Sequence, residues 1–156
     1  MPHSPDEAAQ PAPLSSPRAP SDRFARGLVL VTGVTWLVFA AWLTIDPAAV
    51  PRAFGVEEVP PGLRTELRAF YGGVEAGLGL TILMLWRRDL RAAALLGALP
   101  LLGSAVMRAA GCLLEGFVPI HAILGVPELL GGGLNAWVWW ALESRTPRSP
   151  VHSAPE

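Results

Sequence analysis

Six side chains able to carry charge or a strong hydrogen bond stand inside or at the edge of apolar runs: Arg68, Glu75, Arg108, His121, Glu128 and Asn135. Tyr71 lies between the first two. In water such groups need no partner. In hydrocarbon each isolated charge costs about 2.5–3.5 kcal/mol on the insertion scale, so Glu75, Arg108 and Glu128 left alone would together cost roughly 8–10 kcal/mol. The spacing therefore predicts that these residues face inward and converge on one buried cluster, with Arg108 reaching either carboxylate. The charges do not balance. Arg108 is always protonated and faces two glutamates, so Arg68 or His121 supplies a second positive charge, or one glutamate holds a proton. A cluster of this kind binds a small molecule or a proton, or it only locks helices together. Both chemistries stay open on residue types alone.

The spacing carries a second signal. Arg68, Gly72, Glu75 and Gly79 are separated by four, three and four residues, and so are His121, Gly125, Glu128 and Gly132. These steps keep side chains on one helix face. Each glutamate thus sits between glycines, which allow a neighbouring backbone to come close. The pattern suggests a duplicated helical hairpin, two parallel repeats about an axis normal to a membrane.

Other chemistries find no residues to run on. Cys112 is the one cysteine, so an intrachain disulfide or a CxxC metal or redox motif is excluded. His121 is the one histidine outside the tails, which excludes paired-histidine haem ligation within a chain. No nucleophile with a base, no metal-ligand set and no phosphate loop is present, so no catalytic, cofactor-binding or metal-binding residue is assigned and an enzyme reading has little support. A net charge of −1 without a basic stripe argues against a nucleic-acid partner.

The elements that must position these residues are long apolar blocks. Of 156 residues 51% are apolar and 16% charged, and the mean hydropathy is +0.40, on the oily side of a soluble domain. Four blocks predict membrane-spanning helices over about 27–45, 69–86, 92–113 and 118–142. The first has nineteen residues without a charge, close to the ~20 needed to cross ~30 Å of hydrocarbon. Pro100 and Pro127 fall inside helices three and four, which bilayer helices tolerate. The 46–67 connection, with Asp46 and Pro47 as a start signal and Gly55 as a stop, predicts a short interfacial helix. Residues 1–25 and 143–156, rich in Pro and Ser, read as disordered cytoplasmic tails flanking one 26–142 domain. The fold class is all-α, a four-transmembrane-helix bundle.

All twelve basic residues are Arg, which with abundant Ala, Gly and Pro suits the coding bias of a GC-rich bacterial genome. Eight of them lie in the tails and in the turn between helices two and three (Arg18, Arg23, Arg26, Arg87, Arg88, Arg91, Arg145, Arg148). The positive-inside rule then predicts a multi-pass protein of the inner (plasma) membrane with both termini cytoplasmic.

The motif R-A-F-Y-G-G at residues 68–73, the arginine late in helix three and the glutamate in helix four resemble small four-helix bacterial membrane proteins catalogued as domain of unknown function 4345. The resemblance covers about residues 26–142. It implies an integral-membrane helical fold, brings no established activity, and leaves the roles of Arg68, Tyr71, Arg108 and Glu128 open.

Three functions are consistent with these residues. The chain is a binding or transport-type bundle holding a small molecule or proton in its outer half, a structural or accessory subunit whose ion pairs fix packing, or a membrane enzyme acting on a lipid or quinone. The lipid bilayer is the expected partner, and transport by so small a bundle would require a homo-oligomer.

Overall fold

The computed structural model describes residues 20–145, which are helical with no strand among them. Residues 1–19 and 146–156, most of both predicted tails, lie outside the described residues. The elements are α1 (Asp22–Ile45), α2 (Ala49–Ala53), α3 (Pro61–Leu67), a π-helical turn (Arg68–Val74), α4 (Glu75–Arg88), α5 (Leu90–Glu115) and α6 (Pro119–Glu143).

Local chemistry sets the ends. Ser21 caps α1, its Oγ accepting from the Phe24 amide at 3.3 Å, and Asp89 caps α5 by accepting from the Ala92 amide at 3.0 Å. Such caps satisfy amides that a helix start leaves without partners. Only Asp89 separates α4 from α5, so the two are antiparallel neighbours. Gly116, at φ +100°, ends α5, and Pro119 opens α6 with its ring in the first turn. Asp46 was expected to start the interfacial helix. It caps the C-terminus of α1 instead, and its carboxylate pairs with Arg52 on α2.

The second long helix starts earlier than the apolar block suggested. α3, the π turn and α4 run on without a break from Pro61 to Arg88, 28 residues, so Arg64 and Arg68 ride on helix rather than on a loop. Among the described residues three helices are long and apolar enough to cross a membrane: Asp22–Ile45, Pro61–Arg88 and Leu90–Glu115. α6 has 25 residues, comparable in length, but His121, Glu128, Asn135, two prolines and a run of glycines dilute its apolar character.

The long helices alternate in direction. α1 packs mainly on α4 and the π turn, α5 mainly on α6, and α4 meets α5. Both contacts are close because glycines line them. A Cβ on Gly79 would lie 2.9 Å from the Gly33 carbonyl oxygen of α1, and one on Gly132 would lie 3.0 Å from the Leu102 amide nitrogen of α5. Near the end that carries residues 20 and 145, Ala25, Val29, Ile82, Ala93, Ala94 and Val138 form the buried core. The indole N–H of Trp86 donates to the Arg26 carbonyl at 2.8 Å, tying the end of α4 to the start of α1. At that end Arg91 pairs with Glu143, and Arg145 bonds Asp22 and the Pro20 carbonyl, each at 2.8 Å.

Candidate functional site

Glu128 sits midway along α6, on the face that Gly125 and Gly132 turn towards α5. A Cβ on Gly125 would stand 3.1 Å from Arg108 Cδ, so the glycine leaves a path for the arginine arm to lie across α6. Arg108 Nε donates to Glu128 Oε2 at 3.0 Å and Nη2 donates to Oε1 at 2.7 Å, a two-point pair that suits guanidinium and carboxylate shapes. Ser104, one turn earlier on α5, donates from Oγ to the same Oε1 at 2.9 Å. The side chains of Arg108 and Glu128 are 20% and 18% exposed. The pair is electrically neutral. Of the five guanidinium N–H groups, two are used, and three have no acceptor among the described residues.

Beside the pair, α5 and α6 part to leave a groove of about 310 Å³. Arg108, Cys112, Phe117, His121, Ala122 and Leu129 are among its walls. His121 packs its ring 5.6 Å from that of Phe54, which follows α2, and its Nδ1 is buried without a hydrogen-bond partner. A larger hollow of about 430 Å³ lies where Leu30 of α1 meets Leu80 and Leu83 of α4. Its charged residues are the exposed Arg87 and Arg88, and none of the seven residues singled out from the sequence lines it.

The expected single cluster resolves into separate places. Arg108 and Glu128 are joined, His121 lines the adjoining groove, and Tyr71 stands edge-on to Phe70 with ring centres 5.4 Å apart. Arg68 is elsewhere. Its Nε donates to the Thr44 carbonyl at 3.0 Å, satisfying one of the carbonyls left open in the last turn of α1. Asn135 is fully buried towards the other end. Its Nδ2 donates to Thr32 Oγ1 at 2.9 Å and to the Gly131 carbonyl at 2.8 Å, and the Thr32 hydroxyl donates on to the Leu28 carbonyl at 3.0 Å. Glu75 opens α4 directly after the π turn, and its Oε2 is buried with no hydrogen-bond partner.

The reason for this separation lies in the glycine faces. Gly72 and Gly79 face Thr44 and Leu37 of α1, whereas Gly125 and Gly132 face Arg108 and Leu102 of α5. Each glutamate-bearing helix therefore packs against the long helix before it, and the two faces do not meet. Thr44 meets Gly72 where Arg108 meets Gly125, so the first hairpin has a threonine where the second has its arginine. Glu75 is left without the cation that Glu128 has. Ser104 shares a helix face with Arg108, four residues on, and that spacing is the signal for its place in the site. Thr32 had no such signal, because its partner Asn135 is 103 residues away.

No protein-family model, curated protein or solved structure matches this chain.

Proposed function

We propose that this chain is a multi-pass protein of the inner membrane, a bundle of four transmembrane helices with both termini cytoplasmic, and that it binds a small molecule at the α5–α6 groove. α6 serves as the fourth span in this reading. The Arg-rich end, with Arg87, Arg88, Arg91 and Arg145, lies on the cytoplasmic side by the positive-inside rule. Kinship with the small four-helix membrane family belongs to the same proposal and rests on residues 68–73, Arg108 and Glu128. One observation carries the binding role. The paired Arg108 and Glu128 stand between α5 and α6 beside a largely apolar groove of ligand size, of about 310 Å³.

A second reading, a structural or accessory subunit, draws on the same pair. Glu128 accepts from both Arg108 and Ser104, so within the protein its carboxylate is well satisfied. Purification in mild detergent followed by native mass spectrometry separates the two. A retained lipid or small molecule at a fixed ratio, lost when the groove is filled by Ala122→Phe, is the expected result. A chain that carries nothing in either form belongs to the structural reading.

A further inference from the structure

The arginines at the end that carries residues 20 and 145 fall into two sets. Arg91 pairs with Glu143, and Arg145 pairs with Asp22. Asp89 caps the Ala92 amide. Arg87 and Arg88 are exposed and have no acidic partner among the described residues. A guanidinium at a membrane surface without a carboxylate is open to a phosphate, which it can meet with two parallel hydrogen bonds.

The surface beside this pair is apolar. Leu80, Leu83, Met84 and Arg87 follow one another at steps of three, one and three residues, so they form a single stripe down α4 that ends on the arginines. With Leu30 of α1 they wall the hollow of about 430 Å³. From Leu80 to Arg87 the stripe runs about 10 Å along the helix axis. Trp86 stands at the charged end, its indole N–H already taken by the Arg26 carbonyl. The guanidinium carbon of Arg87 lies 5.9 Å from the centre of that ring, a contact that steadies one cation at the mouth. The hollow is thus apolar along its length and cationic at one end.

We propose that the α1–α4 hollow seats one anionic phospholipid of the cytoplasmic leaflet, its phosphate on Arg87 and Arg88 and the first part of an acyl chain against Leu30, Leu80 and Met84. The leaflet rests on the orientation proposed above; the site itself is separate from the α5–α6 groove. Charge complementarity selects this occupant. An uncharged lipid fills the apolar stretch and leaves both guanidiniums without an anion, and a zwitterionic headgroup brings its own ammonium up to two positive charges. A second copy of this chain fits no better. Copies in a membrane share one orientation, so a two-fold contact through this face sets Arg87 and Arg88 against the same two residues of the other copy.

The test uses the full-length protein in mild detergent, offered phosphatidylglycerol and phosphatidylcholine of identical acyl chains in equal amounts, with bound lipid read by native mass spectrometry. The expected result is one bound phosphatidylglycerol, preferred over phosphatidylcholine about tenfold through its two basic contacts. Arg87→Gln together with Arg88→Gln should abolish the preference. Arg23→Gln together with Arg26→Gln removes the same charge from the same end but outside the hollow, and should keep it. Leu80→Trp crowds the apolar stretch, leaves every charge in place and should weaken the binding of both lipids. Equal retention of the two lipids by the unaltered chain overturns the proposal, as does an equal loss of preference in the two double-glutamine variants. A dimer that Leu80→Trp dissolves, with no lipid bound, overturns it in favour of a second copy. A lipid lost in Ala122→Phe instead belongs to the α5–α6 groove and overturns this seat while supporting that one. Detergent has no sides, so an external reporter at Asp89 would refute the leaflet without altering any of these results.

Discussion

Arg108 grips Glu128 from the neighbouring helix with two parallel hydrogen bonds, and Glu75 takes no part in the grip. Breaking such a pair from one side leaves the other charge unpaired and typically costs ~3–5 kcal/mol. Arg108→Leu is therefore expected to lower thermal stability in detergent by about that much. Adding Glu128→Gln should recover most of the loss, because a neutral amide can still accept from Ser104. Double-mutant cycles should show coupling above ~1 kcal/mol between positions 108 and 128 and almost none between 75 and 108. Equal coupling for both pairs would restore a three-residue cluster and contradict the geometry.

The glycine contacts make a sharper test because neighbouring positions differ. A Cβ on Gly132 would meet the Leu102 backbone at 3.0 Å, whereas a Cβ on Gly133 would meet nothing within 4 Å. Gly132→Ala should cost about 1–3 kcal/mol by forcing α5 and α6 apart. Gly133→Ala should be neutral or stabilising by up to ~1 kcal/mol through helix propensity. Thermal unfolding of the two variants decides it, and equal shifts would refute the packing.

Arg68 closes the end of α1 rather than serving the ion pair. Arg68→Ala should cost only about 1 kcal/mol or less, the net worth of one hydrogen bond. Its signature is local. Amide exchange should quicken around residues 42–53 and stay unchanged in α5 and α6. Faster exchange around Glu128 would return Arg68 to the site.

Topology follows from the four-span proposal. Reporter fusions before Asp22, at Asp89 and after Arg145 should read cytoplasmic, and insertions at Gly55 or Gly116 should read external. A C-terminal fusion on the external side would remove α6 as a span and contradict the orientation.

The parts of this fold that were legible in the sequence are those governed by local pattern. Nineteen uncharged residues announce α1, and the apolar blocks at about 92–113 and 118–142 announce α5 and α6. Arg108 and Glu128 were legible because a charge in an apolar run must find a partner, and Ser104 stands one helical turn from Arg108 on the same face. The first turns of the second long helix were not. Arg64, Glu66 and Arg68 hide them from any reading based on apolar runs, and nothing in R-A-F-Y-G-G-V announces a π turn. The separation of Glu75 from Arg108 was invisible for another reason. Helical spacing shows which residues share a face, but not which neighbour that face meets.

The contact between Asp22 and Arg145 brings the two ends of the described residues together, nearly closing residues 20–145 into a ring. Anything attached at either end of the described residues starts from the same spot at the mouth of the bundle. Halves of a split fluorescent protein joined before Pro20 and after Arg145 should therefore reassemble within one molecule, at a yield independent of dilution. The same adjacency means that domains joined directly at Pro20 and at Arg145 would share one space, so the two ends of the described residues act as one attachment point.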